Sequence, residues 1–263
     1  MIFAATLTDA LHSGLSPESV LEISSATASN AIVFSSLKYG ESDLIVKCFT
    51  ESSGLKSYLL RNVLKSKKGK LRSSYFQLLS LIEIEASHKN KGTLERINEA
   101  KMFYPYQSLH TNIVKSSLVI FLAEILSNTI NEEAEDKILF YFIENSLRWL
   151  DNSKDIANFH ISFLLKLSLH LGFYPDTSSI VKPYFNLLEG NFQDINTGKH
   201  VETGTVIVHL KMFFGMDFDK INGIKLTKQQ RLDLLTLMVH YYQLHLHGYK
   251  KPKSLAVLQQ LFN

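Results

Sequence analysis

Residues 31–60 read AIVFSSLKYGESDLIVKCFTESSGLKSYLL and decide the first half of the fold. Three short runs rich in apolar and β-branched residues are separated by the turn-forming groups KYGE at 38–41 and ESSG at 51–54. Runs of this composition, bounded by glycine and polar residues, are typical of strands joined by tight turns. The stretch therefore predicts three antiparallel strands, Ala31 to Leu37, Asp43 to Thr50 and Leu55 to Val63.

Two more strands are predicted further along the chain. The run LIEIEA at 81–86 alternates apolar and polar residues, and we predict a strand from Tyr75 to Glu85. A fifth strand is predicted from Thr93 to Phe103. Five short strands joined by polar turns favour a small antiparallel barrel, and the oligonucleotide-binding (OB) type is the expected one at this size.

The basic segment, residues 65–72, reads KSKKGKLR and connects the third and fourth predicted strands. From Lys38 to Arg72, nine Lys or Arg stand against three acidic residues, so this part has a net charge of +6 while the whole chain has +3. Positive charge concentrated on a β module is typical of a surface that binds nucleic-acid phosphates. A solvated surface loop is the alternative interpretation.

Barrels that bind single strands combine cations with aromatic side chains on which bases stack. Tyr39 lies in a predicted turn and is the expected stacking residue, whereas Tyr58, Tyr75 and Phe76 fit either stacking or the core. Because lysines dominate, we expect contacts mostly to the DNA backbone, with weak sequence preference and steep salt dependence. The predicted DNA-binding residues are Tyr39, Arg61, Lys65, Lys67, Lys68, Lys70 and Arg72.

Beyond Tyr104 the apolar period changes from two residues to about 3.6, which predicts helices. Acidic residues at 132–136 precede one helix, Asp155 is the predicted N-cap of another, and Thr227 opens a capping-box sequence. Residues 176–204 are turn-rich and weakly patterned. The predicted helices are His110 to Ile130, a helix ending at Leu150, Asp155 to Leu171, Val206 to Phe214, one from Thr227 ending before Gly248, and Lys253 to Phe262.

The expected fold class is α+β with more than one domain, an N-terminal antiparallel OB-type β-barrel followed by an all-α C-terminal helical domain. The expected parts are a leader at 1–29, the barrel at 30–104 and the helical domain at 105–263. The leader has no Lys or Arg, unlike a secretory signal or a transit peptide. A disordered leader, a start assigned too early and an extra helix against the barrel stay open.

The composition argues against several classes of protein. No apolar stretch approaches the ~18–20 residues that span a bilayer, so no membrane association is expected. Cys48 is the only cysteine, which excludes an internal disulfide and favours a reducing compartment. The ten histidines form no HExxH motif, so core or surface roles are favoured over metal binding. No catalytic motif is present, and we predict neither an enzyme nor a cofactor.

At residues 31–46, 54–58, 163–175 and 248–255 the chain resembles the RecO family of bacterial DNA repair proteins. Residues 31–46, AIVFSSLKYGESDLIV, are similar to the family's opening, and GLKSY at 54–58 with the basic run after Arg61 fits that opening. FLLKLSLHLGFYP at 163–175 resembles the family's central helix and its exit, and GYKKPKSL at 248–255 resembles its C-terminal signature. The resemblance covers about residues 30–263.

The resemblance implies an N-terminal OB barrel, a helical C-terminal domain and a role in recombination mediation. A protein of this family is expected to bind single- and double-stranded DNA and to anneal complementary strands. It is expected to work with RecR to load RecA, an indirect partner, onto strands coated by single-stranded DNA-binding protein (SSB). A cytoplasmic, nucleoid-associated location in bacteria is implied as well.

The chain departs from the family at two places. Many members carry four zinc-binding cysteines after the central helix, but residues 174–200 have no cysteine, so no zinc is predicted. Residues 184–187 and 190–192 are expected to fill that space by packing. Residues 1–28 are the second departure, since they have no family counterpart.

Family members also bind the acidic, Phe-ending tail of SSB on the helical domain. Such a site needs an apolar pocket with cations that meet the terminal carboxylate. Lys115 and Arg148 are the predicted tail-binding residues, and solvated helix charges are the alternative.

Two other functions stay open from the residues alone. The first is a protein-interaction adaptor that uses the barrel without direct DNA binding, its basic segment meeting an acidic protein surface. The second is a divergent nuclease, which would need clustered carboxylates for metal ions; the acids at 132–136 fit a helix start better.

Overall fold

The computed structural model describes residues 26–66, 70–88, 93–131 and 134–261. Most of the predicted leader, Glu132, Glu133 and the last two residues therefore lie outside the described residues. The elements in chain order are β1 Ala26–Tyr39, β2 Asp43–Thr50, β3 Gly54–Leu60, a 3₁₀ turn Ser73–Phe76, β4 Leu81–Ser87, β5 Arg96–Tyr104, α1 Ile113–Thr129, α2 Lys137–Asn152, α3 Phe159–His170, β6 Tyr184–Asn186, β7 Asn191–Gln193, β8 Val201–Glu202, α4 Thr205–Lys211, a 3₁₀ turn Ile221–Gly223, α5 Lys228–His245 and α6 Leu255–Leu261.

The chain divides into two compact units. The first comprises the chain through Pro105 together with the start of α2, up to Phe140. The second comprises Tyr106–Asn131 and the chain from Tyr141 onward. Within the described residues, no helix is long and apolar enough to cross a membrane.

The first unit is built on one antiparallel sheet with the strand order β3-β2-β1-β4-β5. All four neighbouring pairs are antiparallel, as the short turns between the predicted strands require. Among the described residues, the edge strand β3 is bridged to the residue just before β5, where Tyr58 forms a parallel bridge with Glu95. Leu59 donates its N–H to the Glu95 carbonyl at 3.0 Å, and Glu95 donates to that of Ser57 at 2.8 Å. The antiparallel sheet is confirmed, but in the described part of the chain β3 and β5 form no continuous ladder that closes a barrel.

Strand alternation places the core of the first unit on the inner face of this sheet. Val46, Tyr58 and Ile84 are buried on that face, and their neighbours in sequence point the other way. Phe76 also belongs to this core. The predicted strand start at Tyr75 is wrong, because Ser73–Phe76 is a 3₁₀ turn and β4 begins at Leu81. The turn brings Phe76 under the sheet, which an extended strand starting at Tyr75 would not do.

The second unit contains helices and a small three-stranded sheet with the order β7-β6-β8. The expectation of an all-α second domain therefore needs correction, because residues 184–202 form strands. Phe185 and Phe192 pair across β6 and β7 with ring centroids 4.8 Å apart, and both are buried. An aromatic pair is thus the packed centre of this sheet, in the segment where we expected these residues to pack.

Two helix starts in the second unit are fixed in different ways, one by a local cap and one by bonds to a distant turn. Thr227 caps α5 in a complete capping box with Gln230, as the sequence predicts. The prediction of Asp155 as the N-cap of α3 is wrong, since α3 begins at Phe159 and Asn158 occupies the cap position. Asn158 donates its amide to the carbonyls of Ile221 and Ile224, at 3.0 and 2.8 Å, so a distant turn is fixed at this helix start.

Candidate nucleic-acid interface

The outer face of the sheet in the first unit carries an exposed apolar row. Strand pairing places Leu37 opposite Ile45, and Ile45 opposite Leu59, so one residue from each of three adjacent strands forms this outer row. Leu37 is 64% exposed, and Ile45 and Leu59 are half-buried. The next row toward the β1–β2 turn contains Tyr39, which is 55% exposed.

The two ends of the outer face differ in exposure. At one end Phe34 and Phe49 are buried and stack with ring centroids 5.5 Å apart, and Phe140 packs on Phe49 at 6.0 Å. At the other end Tyr39 and Leu37 have no such cover among the described residues. Only the Tyr39 end therefore presents an aromatic and apolar surface to a ligand.

The turn that follows β3, held by hydrogen bonds of Asn62, places Arg61 beside this open end. Asn62, the next residue, has φ +56°, a left-handed conformation that asparagine tolerates better than most residues. Its N–H donates to Asp43 Oδ1 at 2.8 Å, and its side-chain oxygen accepts from the Ser42 hydroxyl at 3.0 Å. These bonds fix the exit of β3, and Arg61 is left exposed at the start of the chain that leads into the basic segment.

A cleft of about 400 Å³ lies between the end of β3 and the start of β5. Leu60, Leu71 and Ile97 supply apolar lining, and the exposed side chains of Arg61 and Arg96 border it. Neither arginine has a carboxylate partner among the described residues. Sequence reasoning missed Arg96, because it lies 24 positions after the basic segment, on another predicted strand. The only available signal was its place in an alternating strand next to Ile97.

Carboxylates hold the basic segment near both of its ends. Lys65 pairs with Glu41 at 3.2 Å, and Lys70 pairs with Glu99 of β5 at 2.7 Å. The hydrogen bond from Lys70 to Glu99 raises the pKa of that lysine above its usual value, so Lys70 stays protonated and positively charged. Lys67 and Lys68, two of the predicted DNA-binding residues, lie outside the described residues.

The predicted contact residue Arg72 and the aromatic residues left open between stacking and the core divide between surface and interior. Arg72 is exposed, and its guanidinium lies 5.8 Å from the ring centre of the half-buried Tyr75. Tyr58 and Phe76 are buried, so the core alternative holds for both. Burial raises the pKa of Tyr58, and its hydroxyl lies 2.8 Å from His88 Nε2. Lys47, which sequence reasoning did not select, is exposed on the outer face opposite Ser35 and Ser57.

Two family models cover most of the chain. The model described as "Recombination protein O N terminal" matches residues 25–106, and "Recombination protein O C terminal" matches residues 110–255. The chain belongs to the RecO family of DNA repair proteins. The predicted resemblance is confirmed, and the N-terminal match contains all five strands of the large sheet.

Relatives named "DNA repair protein RecO" extend over nearly the whole described chain. The protein of Christiangramia forsetii is 47% identical over 232 residues, which are 88% of this chain and 97% of that one. That of Flavobacterium psychrophilum is 46% identical over 233 residues, 89% and 98% of the two chains. That of Porphyromonas gingivalis is 31% identical over 247 residues, again 89% and 98%. This RecO family member is thus related to DNA repair and recombination proteins over both units.

The two residues predicted to bind the SSB tail have different surroundings. Arg148 is partly exposed and pairs with Glu144, one helical turn earlier in α2, at 2.7 Å. Lys115 is only 6% exposed, and its ammonium donates to Ser108 Oγ and to the Asp151 carbonyl, both at 2.7 Å. The contacts of Lys115 are therefore internal to the second unit.

Asp151 organises this corner of the second unit. Its carboxylate accepts the backbone N–H groups of Gln107, Ser108 and Leu109 at 2.9, 2.8 and 2.8 Å. Burial alone would raise the pKa of Asp151, but these three N–H donors hold it below its usual value. The residues 107–109, Lys115 and Asp151 form what we call the Asp151 junction.

Proposed function

We propose that this RecO family member binds single- and double-stranded DNA on the open end of its outer sheet face. We further propose that it anneals complementary strands and, with RecR, helps to load RecA onto SSB-coated DNA. The first unit would serve as an OB-type DNA-binding module. The observation that carries the proposal is the combination of Tyr39 and the outer row with the exposed cations Arg61 and Arg96 and the adjoining basic segment.

The chemistry of this surface suits phosphate contact and base stacking. Exposed guanidinium and ammonium groups neutralise phosphates and release the counter-ions condensed on DNA. The ring of Tyr39 offers a face on which any base can stack, so binding would depend little on sequence. Neutralising the charge of two strands at once lowers their repulsion, and complementary strands held together can then pair. No covalent bond is made or broken in this mechanism, which needs no catalytic residue and no cofactor.

Fluorescence anisotropy of labelled single-stranded DNA tests the proposal. Binding should weaken steeply between about 50 and 200 mM salt, the range in which phosphate contacts are lost. Replacing Lys67, Lys68 and Lys70 by Glu should abolish binding at the upper end of that range and should stop the annealing of complementary strands.

A matched variant controls for total charge. Lys154, Lys199 and Lys225 are exposed lysines of the second unit, and changing them to Glu alters the net charge of the chain by the same amount. This control should keep most of the DNA affinity. Equal losses in the two triple variants would show that overall charge, rather than this surface, determines binding.

The adaptor function is the alternative that the same assay can reveal. Absence of DNA binding by the unaltered protein, even near 50 mM salt, would contradict our proposal. A complex with RecR that forms without DNA and is lost in the Lys67, Lys68 and Lys70 variant would then favour an adaptor whose basic segment meets an acidic protein surface.

The proposed contact with the SSB tail belongs to the second unit. Arg148 keeps part of its side chain exposed and can meet a carboxylate, whereas Lys115 would first have to give up two internal hydrogen bonds. Titration of an acidic peptide ending in Phe against Arg148→Gln and Lys115→Met tests these residues separately. A loss of affinity in neither variant would contradict the predicted site.

A further inference from the structure

We infer that the cleft between β3 and β5 receives one unpaired nucleotide of a single DNA strand, so that this surface favours single strands over duplexes. The inference rests on the proposed DNA binding and adds a substrate class to it. Nothing in the basic segment alone would produce such a preference, because lysines contact the backbones of single strands and duplexes alike.

The size and lining of the cleft suit a base. Its volume of about 400 Å³ falls within the range of small-molecule sites. Leu71 and the exposed Leu94 offer apolar surface beside the polar Arg61, Arg96 and Asn98, whereas Leu60 and Ile97 are almost wholly buried. The flat faces of a base are apolar, and proteins that recognise single strands take up unstacked bases in this way. Water would leave both apolar surfaces when a base enters.

The charges at the cleft suit a phosphate backbone. Arg61 lies three positions after Tyr58, and Arg96 lies one position after the residue bridged to Tyr58, where the two strands run parallel. At ~3.3 Å per residue, the two arginines differ by roughly 7 Å along the strand direction. Guanidinium groups bind phosphate oxygens through paired N–H donors, so two arginines at this spacing can hold the backbone on either side of the inserted nucleotide.

Glu95 is the one carboxylate among the lining residues, and its burial limits its effect on a bound strand. Glu95 is only 7% exposed, and its negative charge acts on Tyr58 and His88, on the inner side of the sheet. The exposed charges at the cleft are therefore the two arginines.

A duplex cannot use the cleft in the same way. Its bases are stacked and paired, and extruding one costs a few kcal/mol, whereas a single strand offers unstacked bases at little cost. Duplex DNA would touch the arginines and the basic segment through its phosphates only. The cleft therefore contributes to single-strand binding and not to duplex binding.

Filling the cleft without a change of charge is the direct test. Asn98 lines the cleft and is exposed, and its side chain donates one hydrogen bond among the described residues, to Ser87 Oγ at 3.3 Å. In Asn98→Trp the indole should occupy the space of the base. The probes are a labelled single strand of mixed sequence and the duplex that it forms with its complement. We expect the single-strand Kd to rise about tenfold, as for the loss of one stacked base, and the duplex Kd to change less than about twofold.

Two further variants separate the causes. Ala28→Trp adds the same side chain at an exposed position opposite Glu85, outside the cleft, and should leave both Kd values unchanged. Arg96→Gln should weaken single-strand binding and reduce the slope of log K against log salt by about 0.7, the value for one phosphate contact with a single strand. Urea unfolding midpoints matching the parent protein show that each variant is folded.

The outcomes distinguish the inference from the proposed function. If Asn98→Trp leaves single-strand binding unchanged, or weakens both probes equally, the inference is wrong while DNA binding stands. If the unaltered protein binds neither probe, the proposed function itself fails. If a polyglutamate peptide binds the parent but not Asn98→Trp, while single-strand binding is the same in both, the cleft belongs to a protein partner and the inference is wrong.

Discussion

The basic segment and the Asp151 junction each contain a lysine and a carboxylate, but only in the basic segment does the lysine pair with the carboxylate; Lys115 donates instead to the Asp151 main-chain carbonyl and to Ser108 Oγ. In the basic segment Lys70 and Glu99 form a 2.7 Å pair whose side chains are 73% and 44% exposed. In the junction Lys115 and Asp151 are 6% and 3% exposed and have several hydrogen-bond partners each. An exposed pair can be exchanged for a phosphate, whereas a buried group cannot leave without exposing unpaired donors or acceptors.

The pKa values of Lys70 and Lys115 shift in opposite directions, as their different exposure leads one to expect. Hydrogen bonding to Glu99 raises the pKa of Lys70, whereas burial lowers the pKa of Lys115 in spite of the nearby Asp151. Solvated charges thus remain available for a ligand, and desolvated charges are committed to the fold. A lysine in a sequence therefore indicates a binding site only when its surroundings leave it exposed.

The largest expected effect is on the junction. Asp151→Ala removes the acceptor of three backbone N–H groups, one of them buried and two part-buried, and hydrogen bonds to charged acceptors contribute ~1.5–3 kcal/mol each without being additive. We expect a loss of about 3 kcal/mol in the unfolding free energy of the second unit, with DNA affinity of the folded protein unchanged. Urea denaturation followed by the fluorescence of Trp149, the only tryptophan, measures the loss.

The pH dependence of this variant provides its control. Because the folded-state pKa of Asp151 lies below its usual value, its stabilising contribution is complete above the unfolded pKa and is lost as pH falls through the folded one. The stabilities of parent and Asp151→Ala should therefore converge in acid. A constant difference down to the acid limit would show that the charge of Asp151 is not the cause.

A smaller loss of stability is expected from Lys115→Met, which keeps the aliphatic chain and removes the ammonium. Ser108 Oγ and the Asp151 carbonyl each lose a donor, so we expect a cost of about 1–3 kcal/mol. The same unfolding experiment applies, and the exposed Lys154→Met should stay within about 0.5 kcal/mol of the parent. An unchanged stability together with weaker binding of an SSB-tail peptide would favour the tail-binding role instead.

The two lysines also show how far sequence reasoning reaches. The bounds of β2, the capping box at Thr227 and the cationic character of the basic segment depend on neighbouring residues, and all were predictable. The burial of Lys115 depends on Asp151, 36 positions away, and no local pattern reveals it. Whether a lysine is exposed depends on the folded unit, so the charge pattern of the sequence alone did not distinguish the exposed Lys70 from the buried Lys115.

The cleft and the small sheet illustrate the same limit. Arg61 and Arg96 come together only because β3 bridges β5, and that parallel bridge has no sequence signature. Strands of two or three residues, such as β6 and β8, are too short for an alternating pattern to be recognised. The turn-forming residues at 176–204 predicted irregular structure. The segment is ordered by the pairing of β6 with β8, whose residues lie far apart in the sequence.

The open end of the outer face should show a moderate effect on binding. Tyr39→Ala removes the exposed ring at the open end, and stacking on an aromatic residue is worth ~1–3 kcal/mol per base. We expect the single-strand Kd to rise by about tenfold. Tyr39→Phe keeps the ring and should bind like the parent, and the urea midpoint should be unchanged in both. Equal losses in the Phe and Ala variants would point to the hydroxyl rather than to stacking.

The smallest expected effect concerns the carboxylate that competes with DNA for Lys70. Glu99→Gln frees the Lys70 ammonium, and we expect DNA binding at low salt to tighten on the order of twofold, because exposed ion pairs are weak. Glu83→Gln is the matched control, since Glu83 pairs with Lys101, a lysine outside the basic segment, at 2.9 Å and its loss changes the net charge equally. Anisotropy titrations at several salt concentrations measure both variants. Tighter binding in Glu99→Gln but not in Glu83→Gln would show that Lys70 exchanges its Glu99 partner for a DNA phosphate. Equal tightening in both variants would reflect the change in net charge only. Weaker DNA binding by Glu99→Gln would mean that Glu99 holds Lys70 in position for the strand, and the competition we describe would be wrong.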